Sequence, residues 1–257
     1  MKYIVLFLLI VLELEAALVQ VPLNAVNEKE QTAEIKIGKI NVGMSGFILH
    51  HITAKHMVIV KNIVVTHFDV NSSMATLKMQ PFHLLDNDSL PSFKYKPTVG
   101  DTAVFAFGYN RSLLIAPNEA IYHRITKSVQ TQWIHPDLFA TVLTYQGHVA
   151  PIKDDFNKMS DATSCGLLFV YLDKKIYTID MKSLKIITVN AAPLEQKKVK
   201  LPFYTRVEKL ESSWWDWGAG TRAVKEYTPY YYKLLLQYNK DNKKLADAYA
   251  EFKKGKR

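Results

Sequence analysis

The chain has 257 residues, 48% of them apolar and 12% aromatic, and a formal charge of +9. That apolar content excludes a disordered chain, and a single cysteine excludes a disulfide-stapled scaffold. The charge suits acidic surfaces, anionic lipid or nucleic acid without choosing among them.

The first sixteen residues, MKYIVLFLLIVLELEA, place Lys2 ahead of an apolar run and end on the small residue Ala16. The run is too short for a bilayer span, which takes about 20 apolar residues. Residues 1–16 are expected to be a secretory signal peptide. The mature chain is then expected in the periplasm or at the outer cell surface.

Residues 24–31 (NAVNEKEQ) read as a polar linker. From there AEIKIGKINV, GFILHHI, HMVIVKNIVVTHF and MATLKMQPF are β-branched runs of roughly period two, separated by Gly, Asn and Ser. TAVFAFGYNRSLLIAPN reads as two strands joined by a turn at residues 108–110. Residues 32–116 are therefore expected to form a small antiparallel β barrel or curled sheet.

The texture changes at Pro117. NEAIYHRITKS has helical spacing with Asn118 as cap, HPDLFATVLTYQG begins on Pro136 and stops at Gly147, and KDDFNKMSDA is a third helix. Residues 166–190 give three strands. A mixed helix and strand domain over 117–210 follows, and the fold class is α+β. Cys165, in SCGLLFV, is expected to be buried and inert.

Residues 211–257 carry the aromatic cluster SSWWDWGAG and a basic, amphipathic C-terminal helix starting near Thr228 and Pro229. Tyr231, Tyr238, Leu245 and Phe252 recur every seven residues, with Leu235 and Tyr249 beside them, and Asn242 interrupts the stripe. Such a seam packs on its own domain or on another chain.

Catalytic spacing is lacking. Residues 218–223 match the dinucleotide fingerprint in letters but follow no apolar strand, and DNDSL (86–90) opens like a calcium loop but puts Leu90 at a ligand position. His50 and His51 alternate in direction on a strand, so they cannot join one metal site. No nucleophile elbow, phosphate loop or zinc-protease helix is present. No catalytic residue, cofactor or metal is expected.

Between residues 225 and 257 there are nine Lys or Arg and four Asp or Glu, which concentrates a surplus of five positive charges in the tail. Export argues against nucleic acid. Peripheral contact with anionic lipid suits the charge, with Trp214, Trp215 and Trp217 at the interface. Anchoring of the last helix to the core is the alternative role for these tryptophans.

KPTVGDTAVF, NRSLLIAPNEAIYHRI, HPDLFATVL and LPFYTRVEKL occur in this order. The set resembles the N-terminal domain family of the bacterial plasminogen-binding protein PgbA, from about residue 35 to 210, with SLLIAPN (112–118) its most specific part. The resemblance implies a non-catalytic envelope or surface protein with a protein partner. One such partner is plasminogen, whose kringle modules hold an ammonium and a carboxylate at opposite ends of an apolar trough. The other is a subunit of an envelope machine such as the flagellar motor. The family's name-giving members continue into a long Lys- and Glu-rich extension ending in lysine, whereas this sequence ends on Lys256 and Arg257. Lys253, Lys254, Lys256 and Arg257, with Trp214, Trp215 and Trp217, are the expected partner-binding residues.

Overall fold

The computed structural model describes residues 18–82, 95–196, 198–210 and 220–255. The signal peptide expected over 1–16 and the calcium-like stretch 86–90 lie outside the described residues.

Strands β1 (Val19–Asn27), β2 (Thr32–Lys36), β3 (Ser45–Thr53), β4 (His56–Asp69), β5 (Met74–Gln80) and β6 (Thr102–Phe105) close into an antiparallel barrel in the order β1-β2-β5-β4-β3-β6. Alternation drives it. In β5, Ala75, Leu77 and Met79 point inward while Lys78 and Gln80 face solvent. Ile35, Ile48, Ile63, Val65, Leu77 and Phe105 fill the interior, each contributing roughly 1.5–3 kcal/mol by burial. Irregularities at Leu23/Ala25, Ile48/Leu49 and Val65/His67 bend the strands enough to close.

Residues 24–31 are therefore not a linker. They complete β1 and turn into β2. The strand was hidden because its exposed residues are Gln20, Pro22, Asn24 and Asn27, while Val19, Val21 and Leu23 follow closely on the apolar run at the start of the sequence.

The second half is a sheet of β7 (Arg111–Ile115), β8 (Gln132–Ile134), β9 (Leu167–Leu172), β10 (Lys175–Asp180) and β11 (Ile186–Ala191), in the order β11-β10-β9-β7-β8. β6 and β7 are both present, as their sequence indicates, but they do not pair as neighbours. β7 lies parallel to β8 and β9, so residues 32–116 supply strands to two sheets. Ala106 and Gly108, both at positive φ, carry the chain from one to the other.

Among the described residues five helices cover this sheet. They are α1 (Glu119–Ser128), α2 (Pro136–Gln146), α3 (Lys153–Thr163), α4 (Tyr227–Tyr238) and α5 (Lys243–Gly255). α1 packs on one face and α2 to α5 on the other. Every residue of β9 is consequently buried, the pattern of a strand covered on both sides. The caps are those the sequence indicates: Asn118 Oδ1 accepts from Ile121 N–H, and α2 has Pro136 in its first turn and Gly147 in the left-handed region at its end. The α+β class holds throughout. Among the described residues no helix is long and apolar enough to cross a membrane.

Candidate functional site

The C-terminal helix is broken where the sequence indicates one continuous element. Asn239 ends α4: its Oδ1 accepts from Ile186 N–H at 3.0 Å, and its Nδ2 donates to the carbonyls of Leu184 and Leu235 at 2.8 Å. Asn242 Oδ1 then accepts from Leu245 N–H, restarting the helix as α5. The seam packs in cis. Tyr231, Leu235, Leu245 and Tyr249 are buried in the helix-side core, with Tyr238 and Phe252 packed against it.

That orientation decides what α5 shows to solvent. Its exposed residues include Lys243, Lys244, Asp247, Glu251, Lys253 and Lys254. Asp247 and Glu251 lie about one turn apart, roughly 6 Å along the axis, flanked by lysines at both ends. Lys253 Nζ sits 4.3 Å from the centre of the Tyr249 ring, a cation held against an aromatic face. Lys254 is exposed in the last turn, where the helix dipole favours positive charge. Lys253 and Lys254 are thus brought together on one surface. Lys256, Arg257, Trp214, Trp215 and Trp217 lie outside the described residues.

A second polar constellation was not singled out from the sequence. Asp137 Oδ1 accepts from Thr205 Oγ1 and Arg206 N–H at 2.8 Å, and its Oδ2 from Arg206 Nε at 2.7 Å. Burial pushes this carboxyl up, but the three donors outweigh it and hold it at about 2. Beside it an open groove of about 430 Å³ is lined by Glu119, Lys198, Lys200, Tyr204 and Arg206, among others. Lys200 donates to the carbonyls of Thr205 and Val207, and Arg206 is committed to Asp137. Two of the groove's three cations, Lys200 and Arg206, therefore hold its own wall. Its signal was the basic stretch at 195–209, whose partner Asp137 lies too far away in sequence to be seen.

His148 and Asp155 form a buried pair, Nδ1 to Oδ1 at 2.8 Å, and Asp155 Oδ2 accepts from Ile152 N–H at the start of α3. Burial pushes the Asp155 carboxyl up. A side chain at Gly220 would come within 2.8 Å of the imidazole, so the backbone of Gly220 lies against the ring and the pair serves as a brace. His50 bonds Asp101 at 2.9 Å, whereas His51 approaches Thr102 and His56 bonds Thr53. Among the described residues no group of three His, Cys, Asp or Glu side chains is placed to hold a metal. Cys165 is buried, and burial pushes its thiol up to about 12, which removes its nucleophilic form at neutral pH.

The profile of the family described as plasminogen-binding protein pgbA N-terminal matches residues 18–235. The chain belongs to this family. It is 24% identical over 199 residues to the plasminogen-binding protein PgbA of Helicobacter pylori strain J99, covering 76% of this chain and 43% of that protein. The match to PgbA of H. pylori strain 26695 is also 24% over 199 residues, covering 76% and 42%. The chain thus spans less than half the length of these curated relatives. No solved structure matches it. The family match ends inside α4, so it takes in the barrel and sheet but not α5.

Proposed function

We propose that the protein is an exported, non-catalytic component of the cell envelope that works by protein–protein contact through α5, with plasminogen as its partner. One observation carries the reading: the apolar side of α5 is consumed by the core, so its lysines and carboxylates are displayed together on rigid, outward-facing backbone. A kringle trough takes an ammonium at one end and a carboxylate at the other, and α5 offers both within a turn or two. The family relationship supports plasminogen as the partner, since the curated relatives bear the plasminogen-binding name, while the choice of α5 rests on its geometry alone. The test is plasminogen binding to the purified chain with free lysine analogue as competitor. Saturable binding abolished by the analogue is expected, and binding that ignores the analogue would refute kringle engagement.

A second reading is a periplasmic scaffold of an envelope machine such as the flagellar motor. The outer face of α2 supports it, where Leu138 is 53% and Tyr145 88% exposed, seven residues apart on one side of the helix. Accessibility to an antibody on intact cells separates the two. A plasminogen receptor is labelled and a periplasmic scaffold is not.

A further inference from the structure

One ring nitrogen at the start of α2 has two neighbours and can serve only one of them at a time. His135 is the N-cap of α2, and its Nδ1 accepts from the backbone N–H of Asp137 at 3.2 Å. The same nitrogen lies 3.3 Å from Asp137 Oδ1. A nitrogen that accepts must present its lone pair, so the cap bond requires Nδ1 to carry no proton. A proton there breaks the cap bond and turns Nδ1 into a donor towards Oδ1. That oxygen already accepts from Thr205 Oγ1 and from Arg206 N–H, one donor for each of its lone pairs. A third donor has to displace one of them.

We infer that His135 is a proton-operated latch between α2 and the stretch around Thr205 and Arg206. Neutral, the imidazole caps α2 and leaves Asp137 to hold that stretch. Protonated, it gives up the cap and takes Asp137 Oδ1 from its two donors. Thr205 and Arg206 line the groove beside Asp137, and Lys200 is tied to the carbonyl of Thr205. Mild acid therefore loosens one wall of the groove.

The groups around the ring set the direction. From α1, Tyr122 meets it edge-on with 5.6 Å between ring centres, and His123 adds a second imidazole, itself 3.5 Å from Glu119. Asp137 faces it from α2. Arg206 faces it from the chain beyond the sheet, with Tyr204 stacked behind Tyr122. Burial is the largest influence and disfavours the imidazolium. Asp137 favours it, while Arg206 and His123 oppose it, and the ring is held below its ordinary 6.5. The latch is thus fully closed above 6.5 and opens as pH falls through the lower folded value. Asp137 titrates at about 2 and stays ionised throughout, so this step precedes the loss of Asp137 itself.

Amide-resolved NMR of the full chain from about pH 8 to pH 5 tests the latch. The Asp137 N–H reports the cap bond, and the Arg206 N–H reports the bond to Oδ1. Both are expected to shift with the midpoint of the His135 ring, below 6.5. Protection of the Arg206 N–H against exchange is expected to fall on the order of fivefold, the scale of one helix cap. His135→Asn keeps a cap acceptor that does not titrate, so both signals should hold steady in it, whereas His123→Asn should keep the transition. Signals that do not move in the parent chain overturn the inference. So does a transition that persists in His135→Asn or vanishes in His123→Asn.

Discussion

Ser45 and Asp180, 135 residues apart in the chain, are joined by two hydrogen bonds: Asp180 Oδ2 accepts from the backbone N–H of Ser45 at 2.9 Å and from its hydroxyl at 2.7 Å. Ser45 opens barrel strand β3 and Asp180 closes sheet strand β10. The same oxygen accepts from Tyr109 Oη at 2.8 Å, and Oδ1 from Ser183 N–H at 2.7 Å. Ser183 Oγ donates to Gly43 O at 2.6 Å. One carboxylate with no solvent exposure thus fastens the barrel, the crossover loop and the sheet together. Burial, followed by the neighbouring Asp180 charge, holds Tyr109 well above the usual phenol range, so its hydroxyl remains a donor.

Asp180→Ala is expected to destabilise the protein by on the order of 3–5 kcal/mol, since each buried donor left unpaired costs roughly 1–3 kcal/mol. Asp180→Asn keeps the shape and one acceptor oxygen and should lose about half as much. Urea unfolding of the three proteins measures the series. Equal stability of all three would show that the barrel and sheet are held by other contacts.

Acid should loosen the anchor at α2. Asp137 titrates in the folded protein at about 2, below its ordinary value of 3.8, so its bonds to Thr205 and Arg206 contribute fully above 3.8 and are lost as pH falls from about 4 towards 2. Asp137→Asn should be less stable at neutral pH, by on the order of 1 kcal/mol after solvent screening, and should change less across that window. Asp155 has the opposite sign, because burial raises it. Protonating it above 3.8 relieves a cost, so Asp155→Asn should flatten the pH profile there. Urea midpoints measured from pH 7 to pH 2 check both.

Gly108 tolerates no side chain. Its φ is +74°, and an added Cβ would lie 2.1 Å from Ser164 O. Gly108→Ala should cost at least the ~1–2 kcal/mol of a left-handed backbone, with the backbone clash added. Gly100 also has positive φ but open space around it, so Gly100→Ala should pay the first cost alone. Thermal melts of the pair separate clash from conformation.

Tyr231 holds α4 to the core by both its ring and its hydroxyl. It is fully buried, and its Oη donates to Pro202 O at 3.0 Å. Tyr231→Phe should cost about 0.5–1.5 kcal/mol and Tyr231→Ala about 3–5 kcal/mol. Hydrogen exchange in α4 and α5 should quicken in that order if the seam, more than the charged face, holds these helices.

Local signals made much of this architecture readable. Period-two alternation gave the barrel strands after β1, and Asn118, Pro136 and Gly147 bounded their helices because capping involves only neighbouring residues. The pairing of β7 with β8 and β9 was not readable, because Ser112 meets Leu167 only through the folded sheet. Neither was the break at Asn239, which is bonded to Ile186 and Leu184 from another element. At the candidate site, the seven-residue recurrence that includes Tyr231 and Leu245, with Tyr249 beside it, marked the apolar side of the helices but not what covers it; the core does, which leaves Lys253 and Lys254 exposed. The ion pair of Asp137 with Arg206 spans 69 residues, and no local pattern links the two.

The most direct measurement is a side-by-side titration of plasminogen against the purified chain, its Lys253→Ala/Lys254→Ala variant and a chain ending at Phe252. The account predicts that affinity falls at least tenfold in the variant and further in the truncated chain, with α4 and the sheet still folded. Undiminished affinity in both would contradict it, because the exposed end of α5 would then not be the surface that plasminogen takes.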